Sequence, residues 1–195
     1  MEMDFYEALV KRRSVYGIDH KLTVTDLRLK EILVYILKHC PSANNDQSQR
    51  MVLLLGEHNK KLWDIVMEAI GSHAKGTTGE KIRKLSSGYG TVLFFDDTAV
   101  TEEYAQKNAT YTSLFPEWAL QQNGMLQYAV WCALSMEGLG ASLQHYNPII
   151  DDEVKKTWNI DESWKLLAQM PFGVPTEQAW DRTYLPVETR FHVFE

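Results

Sequence analysis

The sequence predicts a β-sheet flanked by layers of helices. Short apolar runs bounded by glycine, typical of buried strands, alternate with longer segments whose apolar residues recur at helical spacing. The predicted order is two helices, a strand, a helix, a strand, two helices, a strand, a helix and a strand. No GxGxxG turn follows an opening strand, which argues against a Rossmann-type dinucleotide site.

The N-terminal half begins with two predicted helices. The first covers 4–11, with Asp4 as its N-cap, and the second covers 25–40. Pro41 ends the second helix, because proline disfavours helical backbone at the residue before it. The elements that follow are a loop at 41–47, a strand at 51–55, a helix at 59–70, a flexible turn at 76–79 and a short basic helix at 81–84.

The C-terminal half contains three further predicted strands and a long helix that ends at Gly138 and Gly140, as helices with C-cap glycines do. The tail at 187–194 alternates apolar and polar residues, a strand pattern that could extend a sheet edge of its own chain or of a partner. The remaining predicted elements are a strand at 89–95, helices at 99–108 and 117–137, a strand at 141–146, a helix at 151–158 and a strand at 165–170.

Length and charge restrict the class of protein. A chain of 195 residues predicts one domain over 1–195, large enough to form a core without disulfide or metal. Its net charge of −6 argues against a general nucleic-acid or anionic-membrane binder. Cys40 and Cys132 lie far apart, and Met1–Phe5 shows no basic segment leading into an apolar run. Both features predict a reduced, cytoplasmic protein without a signal peptide.

The stretch from Trp118 to Met136 carries no charge and is long enough to span a bilayer. It nevertheless contains amides that are costly in lipid: Gln121, Gln122, Asn123 and Gln127. We therefore expect a helix covered inside the protein or between two subunits, which favours a homodimer over a membrane span.

Two N-terminal motifs could bind a ligand. Arg12-Arg13-Ser14 offers two planar guanidinium groups and a hydroxyl to a phosphate, although basic residues also occur at ordinary helix ends. The loop at 41–47 offers amides that can read the polar edge of a flat heterocycle, although Asn and Asp also form plain turns.

Two C-terminal motifs can also be interpreted either as ligand-binding segments or as ordinary local structure. Glu137–Gly140 would let backbone approach a ligand closely, or would simply end the helix. Residues 170–175 predict a tight turn, and with Arg182 and Arg190 could close a phosphate site or form a charged surface loop.

The common catalytic and metal-binding motifs are missing. The sequence has no GxSxG, P-loop or HExxH motif, and its six histidines lack metal-ligand spacing. No metal site or catalytic side chain is therefore expected. If the protein is an enzyme, the reactive atom belongs to a bound cofactor.

In this order, the four motifs resemble those of the nitroreductase family of flavoproteins. The shared features are an RRS near residue ten, a PSxxNxQ loop before a strand, a long helix ending in GLG and a GxP turn near the C-terminus. The resemblance covers essentially the whole chain. It is greatest to the short subgroup that includes the fatty-acid-repression-mutant-type proteins of yeast, on segments such as GYGTVLFFDD and MPFGVP.

The resemblance implies an α+β sandwich, with a mixed, mainly antiparallel sheet flanked by helices, that binds FMN in an intertwined homodimer. It implies an oxidoreductase in which NADH or NADPH passes hydride to flavin N5 and a nitroaromatic or quinone then receives it, a ping-pong cycle. Other possibilities are specialised chemistry, such as reductive dehalogenation, or a flavin-binding regulatory or stress-response protein with little turnover.

The resemblance also implies roles for individual residues. Arg12 and Ser14, with Arg13 beside them, would hold the FMN phosphate, and Asn45 and Gln47 would face the flavin. The residues that would lie along the isoalloxazine, with a backbone N–H reaching N5, are Leu143, Gln144 and His145. A second phosphate cation near the C-terminus would be Arg182, or else Arg190.

The chain departs from the family pattern at two places. Tyr16 stands where many members carry a basic residue near the flavin pyrimidine, and Gln47-Ser48-Gln49 stands where the family often has Gln-Pro-Trp. These differences leave the substrate and the choice between NADH and NADPH open, and they keep the regulatory alternative in consideration.

Overall fold

The computed structural model describes residues 4–195 and shows a five-stranded sheet with helices on both faces. The expectation that the chain has no signal peptide rests partly on residues 1–3, which lie outside the described residues. The strands are β1 (Ile18–Asp19), β2 (Gln49–Leu55), β3 (Gly90–Asp97), β4 (Gly140–Ala141) and β5 (Trp164–Pro175). The helices are α1 (Phe5–Lys11), α2 (Asp26–His39), α3 (Glu57–Ile70), α4 (Thr77–Ser86), α5 (Thr98–Lys107), α6 (Phe115–Met136) and α7 (Asp151–Trp158).

The sheet is built around β5, and every strand pair in it is antiparallel. The strand order is β1-β5-β3-β2, and β4 also pairs with β5. β5 therefore pairs with β3 along one edge and with β4 along the other, and β1 pairs with its last two residues, Val174 and Pro175. The predicted mainly antiparallel α+β sandwich is confirmed.

β3 separates two apolar cores, and all of its residues are buried. Since successive side chains of a strand point to opposite faces, Val92 and Phe94 join one core and Leu93 and Phe95 join the other. The first core contains residues of α2 and α6, and the second contains residues of α3, α4 and α7. Helices thus cover both faces of the sheet.

The segment at 170–175 is strand rather than the tight turn expected from its proline and glycine residues. Pro171 fits because its carbonyl faces away from β3 and accepts the Ser142 N–H at 3.4 Å. Its missing N–H would face the same way, so pairing with β3 loses no hydrogen bond.

Pro171 also explains why the predicted strand at 141–146 is interrupted. Pairing stops after Ala141 opposite Phe172 and resumes in the same register where Gln144 pairs with Gln169. Between these pairs, Pro171 has no N–H to donate.

The tail at 187–194 forms no strand, contrary to the alternation of its sequence. Val187–Thr189 is a single 3-10 turn, and the residues after it are irregular and exposed. The apolar side chains of Val187, Phe191 and Val193 are 58%, 67% and 62% exposed. A strand pattern needs a neighbouring edge, and this chain alone brings none to the tail.

The turn and short helix expected around 76–84 form one helix, α4, with Gly79 inside it. A Cβ at Gly79 would lie 2.0 Å from the carbonyl oxygen of Ala74. Glycine is therefore required by close approach of the helix to the preceding chain, and not by a flexible turn.

Helix α6, which is uncharged from Trp118 to Met136, is covered in the single chain on some faces only. None of the helices within 4–195 combines the length and hydropathy that crossing a membrane requires. Gln122 and Asn123 are buried and hydrogen-bonded, which explains amides in an apolar helix. Other α6 side chains remain exposed: Leu120, Met125, Tyr128 and Met136.

Replacing Gly79 by alanine tests the close approach at α4. An alanine normally stabilises a helix interior relative to glycine, but G79A forces a Cβ against backbone, and we expect a loss of about 1–3 kcal/mol in the free energy of unfolding. The matched control is G124A in α6, where no heavy atom lies within 4 Å of the added Cβ. Urea denaturation compares the two, and equal tolerance would contradict the contact.

Candidate functional site

The segment after α1 runs beside the segment after α6. Ser14 forms a parallel bridge with Ala141, and the Val15 N–H donates to the Ala141 carbonyl at 3.0 Å. A Cβ at Gly140 would lie 3.1 Å from the Cβ of Val15 and 3.0 Å from Pro175. The glycine that ends the GLG motif thus permits this approach, and the structure brings Ser14 close to the predicted flavin strand.

The backbone at 143–145 alternates between the side of β5 and the side away from it. The Gln144 N–H donates to the Gln169 carbonyl at 2.7 Å. Since N–H groups alternate sides along a strand, the N–H of Leu143 points away from β5. Gln144 is buried and its amide donates to the Ser142 hydroxyl at 3.0 Å, whereas His145 is exposed.

Arg12 lies against the aromatic side chains of α6. Its guanidinium carbon is 4.4 Å from the centre of the Trp131 ring and 5.8 Å from that of Tyr128. Its Nε is buried and has no hydrogen-bond partner. Among residues 4–195, no carboxylate forms an ion pair with it. An arginine in this state retains its capacity to bind an anion.

Arg13 and Tyr16 point towards the start of the C-terminal segment. The Arg13 guanidinium donates to the Trp180 carbonyl, and the rings of Tyr16 and Trp180 lie 5.6 Å apart. The Lys81 ammonium lies 5.1 Å from the centre of the Tyr16 ring. Arg12 and Arg13, adjacent in sequence, thus contact different parts of the structure.

A cavity of about 490 Å³ opens beside Tyr16, a size typical of small-ligand sites. Partial burial lowers the pKa of Lys81. Lys84 forms a 2.8 Å ion pair with Glu177, which lowers the pKa of that carboxyl. The lining residues are Tyr16, Thr77, Thr78, Glu80, Lys81, Lys84, Glu177 and Trp180.

Sequence reasoning missed the contribution of α4 to this cavity. Thr77, Lys81 and Lys84 recur at spacings of four and three, which places them on one helical face. That signal was hidden because residues 76–79 predicted a flexible turn, which left only 81–84 for the predicted helix and excluded Thr77 from it.

The loop that carries Asn45 and Gln47 has an unusual backbone. Asn44, Asn45 and Gln47 have φ angles of 52°, 54° and 53°, in the left-handed region that most residues avoid. The Gln47 N–H donates to the Ser42 hydroxyl at 2.9 Å. The side chains of Asn45 and Gln47 are exposed, so the loop presents both amides outwards.

A buried polar network supports this loop from below. The Ser48 hydroxyl donates to Asp96 at 2.6 Å and accepts from the Gln122 amide at 2.8 Å. The Ser48 N–H donates to Asp46 at 3.1 Å, and Gln122 also donates to Asp46 at 2.9 Å. A proline at 48 could make neither Ser48 donation. The departure at this position therefore has a structural role.

Arg182 and Arg190 lie on the exposed C-terminal segment. The Arg182 guanidinium carbon is 5.9 Å from the Tyr184 ring centre, and Arg190 donates to the Leu185 carbonyl at 3.5 Å. These contacts lie within the segment itself. A role for either residue beside Arg12 stays a prediction.

The Asp96 carboxyl makes the buried network sensitive to pH. Burial raises its pKa above the usual 3.8, the carboxylates of Asp46 and Asp97 raise it further, and bonds from Ser48 and Thr101 oppose the rise. The folded chain therefore binds the proton more tightly than the unfolded chain. Proton binding at Asp96 stabilises the folded chain fully at pH values below the pKa of Asp96 in the unfolded chain. This stabilisation is lost as pH rises through the pKa of Asp96 in the folded chain.

The side chain at position 96 of D96N cannot ionise. As pH rises from about 3 to about 7, we therefore expect the free energy of unfolding of D96N to fall less than that of the parent protein. Urea denaturation across this range measures the difference. D64N, which removes a carboxyl at an exposed position of α3, serves as the control. An unchanged pH dependence in D96N would contradict the assignment.

Comparison with known proteins identifies relatives of the whole chain. The profile described as "Nitroreductase family" matches residues 9–174. In Saccharomyces cerevisiae, HBN1 is 35% identical over 185 residues and the nitroreductase FRM2 is 31% identical over 184 residues, each match covering 93% of both chains.

Solved structures show the same similarity in three dimensions. The nitroreductase CinD of Lactococcus lactis, in complex with chloramphenicol, superposes with a TM-score of 0.92 at 35% identity and covers 98% of this chain and 100% of its own. CinD has also been solved with nicotinic acid and with 4-nitrophenol. The fold, the position of the motifs and these relatives agree that the chain belongs to the nitroreductase family of flavoprotein oxidoreductases.

Proposed function

We propose that the protein is an FMN-dependent oxidoreductase that uses NADH or NADPH to reduce nitroaromatics or quinones in a ping-pong cycle. Bound FMN supplies hydride transfer through N5, and the chain supplies binding and orientation. The observation that carries the proposal is Arg12, a partly buried cation without an ion-pair partner among residues 4–195, at the position that the resemblance gives to the phosphate.

The residues around Arg12 fit the same cofactor. The hydroxyl of Ser14 lies on the segment that pairs with Ala141, close to the strand that would follow the flavin ring. The Leu143 N–H is directed away from β5, and flavin N5 can accept a hydrogen bond from a donor of this kind. Phosphate and ring would thus be held by neighbouring segments of one sheet edge.

Lys81 replaces the charge that the family often carries at the position of Tyr16. Its ammonium lies over the Tyr16 ring and borders the cavity, so it offers positive charge from α4. We propose that it stabilises negative charge at the pyrimidine edge of the cofactor. The substitution at position 16 would then be compensated from a different element.

The CinD complexes support the class of substrate. Chloramphenicol and 4-nitrophenol are both nitroaromatics, and nicotinic acid shares its pyridine ring with the nicotinamide of NADH and NADPH. We propose the same classes of substrate for this chain.

We also propose a cytoplasmic location. Cys132 in α6 and Cys40 after α2 are both free, as is usual in a reducing compartment.

We also propose that the chain, a single domain over 1–195, works as an intertwined homodimer. The apolar side of α6 and the apolar residues of the tail are exposed in the single chain. β2 is an edge strand paired with β3 alone. The tail of a partner could pair with that edge and cover its apolar alternate residues.

The absorption spectrum of the purified protein tests the function. We expect flavin bands that bleach anaerobically with NADH or NADPH and return with a nitroaromatic or quinone. R12A should lose both the bands and the activity, because the phosphate loses its cation, whereas R83A, at an exposed position of α4, should keep them. Bands that never bleach would favour the regulatory flavoprotein, and no uptake of added FMN would refute the proposal.

Light scattering at micromolar protein tests the dimer. We expect twice the mass of one chain, and we expect the triple change V187S, F191S and V193S to shift the protein towards monomer by removing apolar area. The control changes, E188S and H192S, alter the other positions of the alternating pattern and should leave the mass unchanged. A monomeric parent protein would contradict the proposal.

A further inference from the structure

The aromatic pair formed by Tyr128 and Trp131 holds the Arg12 side chain in place. The two residues are three apart on α6, so their rings lie on one face of that helix. The Arg12 backbone is fixed as well, because its N–H caps α1 through the Ala8 carbonyl at 2.9 Å. The guanidinium is therefore held at one end by helix α1 and at the other by aromatic faces.

This arrangement differs from those of two other arginines in the fold. Arg50 also lies over a tryptophan, 5.6 Å from the ring centre of Trp164, but it forms a 2.8 Å ion pair with Asp97. Arg28 pairs with Glu137 at 3.1 Å. In the described part of the chain, Arg12 has aromatic contacts without such a carboxylate. Aromatic faces restrain a guanidinium without neutralising its charge.

We propose that Trp131 is a positioning residue that orients Arg12 towards the phosphate of FMN, an inference that rests on the proposed function. The Arg12 guanidinium lies over the indole ring, which restrains it without supplying an acceptor oxygen, so its N–H groups stay available to phosphate oxygens. Tyr128 supports the same orientation from 5.8 Å. Trp131 acts through Arg12, and its effect depends on the phosphate being present.

Titration of the flavin-free protein with FMN and with riboflavin separates this role from a general structural one. Riboflavin has the same ring system and lacks the phosphate. We expect W131L to weaken FMN binding by about five- to thirtyfold, the range for a partly desolvated cation–π contact, and to leave riboflavin binding unchanged. W131F keeps an aromatic face and should retain most of the FMN affinity.

The matched control is W164L, which removes the same type of contact from Arg50 and should not change the preference for FMN over riboflavin. In an R12A background, W131L should have no further effect on FMN binding. Equal losses for FMN and riboflavin, or equal losses in W131F and W131L, would overturn the role of Trp131. If R12A itself binds FMN as the parent does, the proposed phosphate site fails instead.

Discussion

The arrangement of the site depends on the hydrogen bonds along both edges of β5. One edge is occupied by β3, which crosses the centre of the molecule between two apolar cores. The other edge receives β4 and the Gln144 bridge, and β1 pairs with the last two residues of β5. Every segment on that second edge belongs to the candidate site or adjoins it. Pairing with β5 thus places the Arg12–Tyr16 segment next to the strand at 141–145, although these segments are more than a hundred residues apart in the chain.

Local signals in the sequence predicted most of the helices and strands, but they did not predict which segments pair or pack together. Asp4 caps its helix and Gly138 ends α6 with a φ of 77°, as expected. The tail failed as a strand because alternation indicates a strand only where an edge is available. Lys81 was missed because its importance comes from Tyr16, which lies far away in sequence. The motif residues were found by order and resemblance, since none of them is diagnostic alone.

Helix α6 connects the two halves of the candidate site. Near its N-terminal end, Gln122 supports the loop that presents Asn45 and Gln47. Nine residues later, Trp131 contacts Arg12, a separation of about 13 Å along the helix axis. One rigid element therefore sets the distance between the amide loop and the arginine that we propose for the phosphate. This explains why an apolar helix carries both buried amides and a cluster of large aromatic residues.

The unpaired edge of β2 has a consequence for how the protein must assemble. The strand reads QRMVLLL, and Arg50 is its one charged residue, already engaged by Asp97. Such an edge is a template for aggregation, because any extended apolar chain can pair with it. A newly folded chain is therefore at greatest risk before its edge is covered. In the proposed homodimer, the partner tail would act first as a protection against misassembly, and the rate of association would limit the yield of folded protein during synthesis.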